Sequence, residues 1–360
     1  MNTRASGKWS NERGVGLVEI MVSIVIGMLI VLMIFQVYLV TEGQKRTITA
    51  ANDAQENASY GLFLLSQELA GAGNVISATT PPSKVPALSG CAMLRPIPVL
   101  IAAGATAADS DTVTVFFGGS GSLSTPTLML NNATVPGVYQ VAGPVAFSAN
   151  DLIAAVQGTN CTLSTVNAGG VTVAAGTGIA TITHTLTATP GNNNATTYNA
   201  AAASLINLGQ GDRFGRTLYS VNPANNTLTT QSLLPTVLPA TPVVSNVVNL
   251  KAQFGLDTDN DGDVDTWQPA TGNWSSANLP LQPLAADGTY PWQQIRAVRV
   301  AIVTRSDKYE TDAVTPGPLA MLCSPAPCAV SMNLTTDQQH YRYKVMETIV
   351  PIRNAVWNAP

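Results

Sequence analysis

The chain has 360 residues, 11% of them charged, and a formal net charge of −4. That length permits one large or two ordinary domains with a sizeable core, and the low charge without a basic patch excludes nucleic acid as a partner. Ala, Thr, Asn, Ser and Gly dominate after residue 71, a composition of exported β domains rather than of cytosolic enzymes.

The N-terminus is a short polar leader that carries Arg4, Lys8 and Arg13 and ends in Gly14. From Ile20 to Thr41 no residue is charged. As a helix this run spans about 33 Å, enough for the hydrocarbon core of a bilayer. One carboxylate, Glu19, stands inside its apolar end. A charge there costs ~2.5–3.5 kcal/mol, so it calls for a partner and a purpose. An ordinary secretory signal is cut after its apolar region at a small-residue site, and Leu39-Val40-Thr41-Glu42 offers none. The cut is therefore expected before the run, between Gly14 and Val15, which leaves the apolar helix on the mature chain.

Helix formers continue from residue 42 to residue 72 without proline. Leu62, Leu65, Leu69 and Ala72 share one face at helical spacing, with Gln55, Glu56, Gln67 and Glu68 in polar positions. Gly71-Ala72-Gly73-Asn74 is a helix stop. The pattern predicts one helix of more than 50 residues, from Val15 to about Ala72, apolar all round in its first half and amphipathic in its second. Gln36 and Gly43 are its weak points.

Beyond Thr79-Thr80-Pro81-Pro82 the pattern turns to short β segments. Alternation predicts strands over 112–117, 171–173 and 179–186, and a hairpin of 217–221 and 227–231 around Asn222-Pro-Ala-Asn-Asn226. The strongest late strands are 247–256, 293–304 and 341–352. Residues between Gly118 and Ala203 are rich in Gly, Thr, Asn and Ala and are expected to form long loops, an insertion over about 118–210. The layout is a leader at 1–14, a transmembrane or filament-core half-helix at 15–41, an amphipathic half-helix at 42–74 and a β-rich head at 75–360. One long helix followed by antiparallel strands is an α+β architecture.

The four cysteines are Cys91, Cys161, Cys323 and Cys328. An even count behind an export signal favours disulfides in an oxidising compartment. Cys323-Ser-Pro-Ala-Pro-Cys328 closes a small loop, so these two pair first and Cys91 with Cys161 follows by elimination, although three connectivities are formally open. Neither His184 nor His340 has zinc-like spacing to a cysteine pair.

An acidic stretch holds Asp257, Asp259, Asp261, Asp263 and Asp265, with Gly262 at a turn position. The first three occupy positions 1, 3 and 5 of an EF-hand-like loop, but position 12 is Gln268 and no helix follows. Two readings stand: a short calcium loop between strands, closed by Asp265, or a solvated acidic turn. Calcium would relieve the repulsion of five carboxylates that no Lys or Arg interrupts, in a structural role.

Enzyme signatures fail. Phe117-Gly-Gly-Ser120-Gly-Ser122 lacks the second glycine of a nucleophile elbow. Gly209-Gln-Gly211-Asp-Arg-Phe-Gly215 is not a dinucleotide loop. His184, in a Thr-rich strand, and His340, near a strand start, read as structural or surface groups. The expectation is a non-enzymatic protein.

The N-terminal arrangement resembles the class III signal of type IV prepilins and pseudopilins. The resemblance implies that a prepilin peptidase cuts after Gly14, that the new amine of Val15 is methylated, and that Glu19, fifth in the mature chain, helps neutralise a neighbouring subunit's amine. Val15 and Gly16 stand where Phe and Thr are usual. The late segments are similar to the PilW family of minor pilins: Phe254-Gly-Leu-Asp257, the Asp-Gly loop, a Trp/Tyr-bearing stretch, the strand from Ile295 to Arg305 and the terminal run from Tyr341 to Asn354. Residues from about 75 to 210 carry little such likeness. The family implies a pilin-like fold and a role in initiating pilus assembly at the filament tip. Its expected partners are other minor pilins, the major pilin and a PilY1-type tip adhesin. The head would be periplasmic on the bacterial inner membrane before assembly, then at the cell surface on the pilus. A type II secretion minor pseudopilin shares the anchor logic. A membrane-anchored ligand-binding or hydrolytic ectodomain is the alternative of another class.

Overall fold

A computed structural model of the chain describes residues 16–73, 97–117, 126–134, 137–143, 147–158, 160–186, 197–210, 215–234, 237–286 and 289–353. Helix α1 runs unbroken from Leu17 to Ala70, through Gln36 and Gly43. The chain divides into two compact units, residues 1–52 and 53–360. In the first, every large apolar side chain from Leu17 to Val40 is exposed, as expected of a segment whose solvent is lipid or other helices rather than its own head.

In the second unit the helix has one dry face. Ala54, Ala58, Gly61, Leu62, Leu65 and Leu69 are buried on it at three- and four-residue spacing. The small residues come first and let the backbone approach the strands: a Cβ added at Gly61 would lie 3.1 Å from Ile302 Cδ1. The leucines then fill the core, each worth ~1.5–3 kcal/mol of burial. The helix stops where the glycines begin. Gly73 takes φ +76°, a left-handed conformation that costs glycine little, and donates its N–H to Phe116 O at 2.9 Å.

Strands β1 (Val99–Ala102) and β2 (Thr112–Phe117) open a first sheet. The chain then leaves it for β3 (Thr127–Leu128), β4 (Ala133–Thr134), β5 (Val138–Ala142), β6 (Asp151–Gln157), β7 (Asn160–Val173), β8 (Ile179–Leu186), β9 (Thr197–Tyr198) and β10 (Ser204–Gln210). It returns with β11 (Gly215–Asn222), β12 (Thr227–Leu234) and β13 (Thr241–Ser245), which complete the five-stranded order β1-β2-β11-β12-β13. Asn246, at φ +63°, turns the chain into β14 (Val247–Leu256). With β15 (Thr266–Pro269), β16 (Ile295–Arg305) and β19 (Tyr343–Pro351) this makes a four-stranded antiparallel sheet, β15-β14-β16-β19. β17 (Leu319–Met321) and β18 (Val330–Met332) form a hairpin.

Helix α1 packs Leu62, Leu65 and Leu69 into a core shared by the five- and four-stranded sheets, among them Ile101, Val115, Leu228, Leu250, Phe254 and Val300. The opposite face of the four-stranded sheet, through Ala301 and Val303, is covered by Met321, Leu322 and Met332 of the hairpin. The architecture is α+β: one long N-terminal helix and antiparallel sheets.

The middle of the chain departs from the expected loops. Among residues 126–210, β3, β10, β6, β7, β8 and β5 pair in that order as a six-stranded sheet. A bridge between Met129 and Val141 joins its two ends, closing a small barrel. The interior holds Tyr139, Val141, Ile153, Val166, Ile182 and Leu205. β-branched Thr fits a pleated wall and small side chains fit the interior of a small barrel, so the composition that suggested loops belongs to strands. The expected strand at 171–173 is the tail of the 14-residue β7. Two late strands begin after short 3₁₀ turns, Pro291–Gln294 and Gln338–His340, which displace the predicted starts at 293 and 341.

Candidate functional site

The anchor unit carries Glu19 in the first turn of α1. Gly16 O accepts the N–H groups of Glu19 at 2.9 Å and Ile20 at 3.2 Å, and Ser23 Oγ donates to Glu19 O at 2.7 Å. Glu19 is exposed, and from Ile20 to Val40 the helix carries no other charge and exposes large apolar side chains interrupted by Gln36. Polar chemistry resumes at Glu42, whose Oε1 lies 3.3 Å from Arg46 Nε; at that exposure the pair is worth ~0–1 kcal/mol. Gly14 and Val15 lie outside the described residues, so the cut and the methylated amine have no geometry to report.

In the head, the acidic loop follows β14. Asp257 is fully buried. Its Oδ2 accepts Arg296 Nε at 2.8 Å and the Gly262 N–H at 3.1 Å, and its Oδ1 accepts the Asn260 N–H at 2.6 Å. Burial works to raise its pKa, but the Arg296 guanidinium and these backbone donors outweigh it and hold the carboxyl below its ordinary value. Asp265 Oδ2 accepts the Thr258 N–H at 2.6 Å and its hydroxyl at 2.8 Å, which holds that carboxyl below the ordinary value as well. Asp259 caps the Asp261 N–H at 3.2 Å and Asp261 caps that of Asp263 at 2.9 Å. Gly262 permits the turn at φ +97°.

One carboxylate oxygen each from Asp257, Asp259 and Asp265 lie within 4.8 Å of one another. Asp261 and Asp263 do not join that group. Calcium takes six to eight oxygens; the three converging carboxylates are donors of the right kind, but one is already neutralised. Arg296 is the residue that sequence reasoning missed. No cation lies inside the acidic stretch itself; the cation stands 39 residues on, near the start of β16. An arginine beside Ile295, at the head of a strand otherwise rich in Val, Ile and Ala, was the available signal.

The Cys323–Cys328 disulfide is present at the end of the β17–β18 hairpin. Its loop is tied to the sheet below: Glu347 Oε2 accepts the Cys323 N–H at 2.8 Å, and Arg299 Nη1 donates to Ser324 O at 3.3 Å. Arg299 also packs over the Trp267 ring at 5.1 Å. Cys161, on β7, is disulfide-bonded too; Cys91 lies outside the described residues. His340 Nδ1 lies 2.8 Å from Glu310 O, and its ring stacks on Tyr309. His184 is buried in the barrel. The Gly-Ser stretch after Phe117 and residues 211–214 lie outside the described residues, and Gly209 sits at a bulge of β10.

Residues 219–354 match the family of type IV pilus-assembly protein W, and residues 9–35 match the prokaryotic N-terminal methylation motif. Among solved structures, a type IV-like pilin from Thermus thermophilus is similar at 10% identity and a TM-score of 0.34, over 84% of this chain and 97% of that one. No curated protein matches the chain. Behind a prepilin-type methylation motif, the chain carries a domain of the type IV pilus-assembly protein W family.

Proposed function

We propose that this protein is a minor pilin that helps initiate type IV pilus assembly as part of a complex at the filament tip. The observation that carries the reading is the coexistence on one chain of the methylation motif at 9–35 and the pilus-assembly domain at 219–354. The exposed apolar helix from Leu17 to Val40 supports it, since such a surface needs a bilayer or a helical bundle. In this reading prepilin peptidase cuts between Gly14 and Val15. Glu19 pairs with a methylated N-terminal amine, where mutual neutralisation offsets desolvation. The neighbours are other minor pilins, the major pilin and a tip adhesin. The role is structural, with the head periplasmic before assembly and at the cell surface after it. Calcium held by Asp257, Asp259 and Asp265 is a separable part of the proposal.

The test is isolation of tagged protein from pilus-expressing cells, wild type beside Glu19→Ala. The expected result is co-isolation of minor and major pilins with wild type, and loss of filament incorporation by a processed, folded Glu19→Ala. Recovery with secretion pseudopilins instead would transfer the reading to type II secretion. Normal incorporation of Glu19→Ala would remove the pairing argument.

A further inference from the structure

The barrel interrupts the five-stranded sheet at one place. β2 ends at Phe117, β11 begins at Gly215, and these two residues are register partners. The barrel is thus a guest carried at the end of a hairpin, and its core shares no residue with the core under α1. Among the described residues, opening the β5–β8 wall therefore removes no side chain from the core under α1.

Its interior contains a group badly placed to carry charge. His184 points inward from β8 and is 8% exposed. Its ring stacks on Tyr139 of β5, with centroids 4.1 Å apart, and Tyr139 meets Tyr198 of β9 edge-on at 6.3 Å. Among the described residues, neither ring nitrogen of His184 has a hydrogen-bond partner. Across the ladder on β7 it faces Val166. Tyr198 Oη is committed to Ala155 O and Thr162 Oγ1.

Counter-charge is scarce. Residues 126–210 contain no Lys, Arg or Glu, and Asp151 is their sole carboxylate. It stands at the start of β6, and its Oδ2 accepts the Ser148 N–H at 2.7 Å and Asn207 Nδ2 at 2.8 Å. No ion pair joins it to His184. A neutral imidazole is tolerated in such a wall. An imidazolium would bury a charge and two donors with no acceptor among the described residues, which is costly.

We propose that His184 is an acid trigger of the barrel, whose protonation opens the β5–β8 wall while the host sheets and α1 keep their fold. Burial holds the ring below its ordinary pKa. The opened state therefore binds more protons than the closed one. The stability that neutral His184 confers is fully present above about pH 6.5 and is lost as pH falls from there toward the folded value.

The test is hydrogen exchange by mass spectrometry on the full chain in detergent micelles, corrected for the intrinsic pH dependence of exchange. Peptides covering β5 and β8 should open up to ~tenfold more per pH unit below about 6.5, while β14 and β16 stay protected. His184→Phe keeps a ring on Tyr139 without a titrating nitrogen and should flatten the response; His340→Gln should leave it intact. A flat wild-type profile, or a His184→Phe profile as steep as wild type, overturns the trigger. Should the Phe variant not fold, the His184 ring titrated by NMR in His340→Gln decides, since the chain has only these two histidines. Titration below the ordinary value with parallel loss of β8 protection supports the trigger, and titration at or above that value overturns it.

Discussion

Arg296→Met strips the counter-charge from a carboxylate that has no access to water. The Arg296 and Asp257 side chains are 5% and 0% exposed, and their atoms meet at 2.8 Å. Removing one partner of a buried pair costs ~3–5 kcal/mol, because the other is left charged and unpaired. Asp257 keeps its two backbone donors, from Asn260 and Gly262, so the expected loss is at the lower end, ~3 kcal/mol. The double variant Arg296→Met/Asp257→Asn removes both charges and should recover most of that loss. Denaturant unfolding read by tryptophan fluorescence suits the question, since Trp274 and Trp292 belong to or pack against the core beneath this loop. The pH dependence gives a second reading. In the wild type Asp257 titrates below its ordinary value, so its contribution is present above about pH 3.9 and fades as pH falls through the folded value. Without Arg296, burial raises that pKa with less to oppose it, and the variant's deficit should shrink as pH drops from about 7 to about 4. A variant within about 1 kcal/mol of wild type at neutral pH, or a deficit that grows on acidification, would refute the reasoning.

Processing is checked by intact mass: Gly14→Phe should retain the leader, wild type should begin at Val15, and any other mature start sinks the class III reading. For calcium, melting of the protein with the ion and with chelator, at constant ionic strength, should differ. An ion at 100 times its dissociation constant adds about 2.7 kcal/mol, and Asp259→Ala should abolish the rise. An unchanged melting temperature in millimolar calcium would return the loop to an acidic turn held by Arg296 and its own backbone.

Much of the fold was legible where pattern and burial coincide. The strands at Thr112–Phe117 and Ile179–Leu186 fall where alternation placed them, and Val247–Leu256 falls where a strong late strand was expected. The helix stops at the predicted glycines, because glycine alone takes φ +76° at little cost there. What failed was long-range information. Within the barrel only β8 and the tail of β7 showed their period; elsewhere Thr, Ala and Ser give weak hydropathy contrast between the two faces, so the remaining strands were hidden. In the acidic loop the residue types were plain but the partner was not. Arg296 reaches Asp257 only through the register of β14 with β16, where Leu256 pairs with Ile295. A one-dimensional reading of charge cannot supply that neighbour.

The place where the barrel is spliced in also bears on how the molecule is made. β2 cannot pair with β11 until roughly 100 further residues have been delivered, and closing so long a loop costs about 3 kcal/mol more than closing a tight turn. If the barrel condenses first, its own two ends come together and that entropy is already spent when β11 arrives. The export order of the chain then becomes a folding order, in which the inserted barrel is finished before the sheet that holds it.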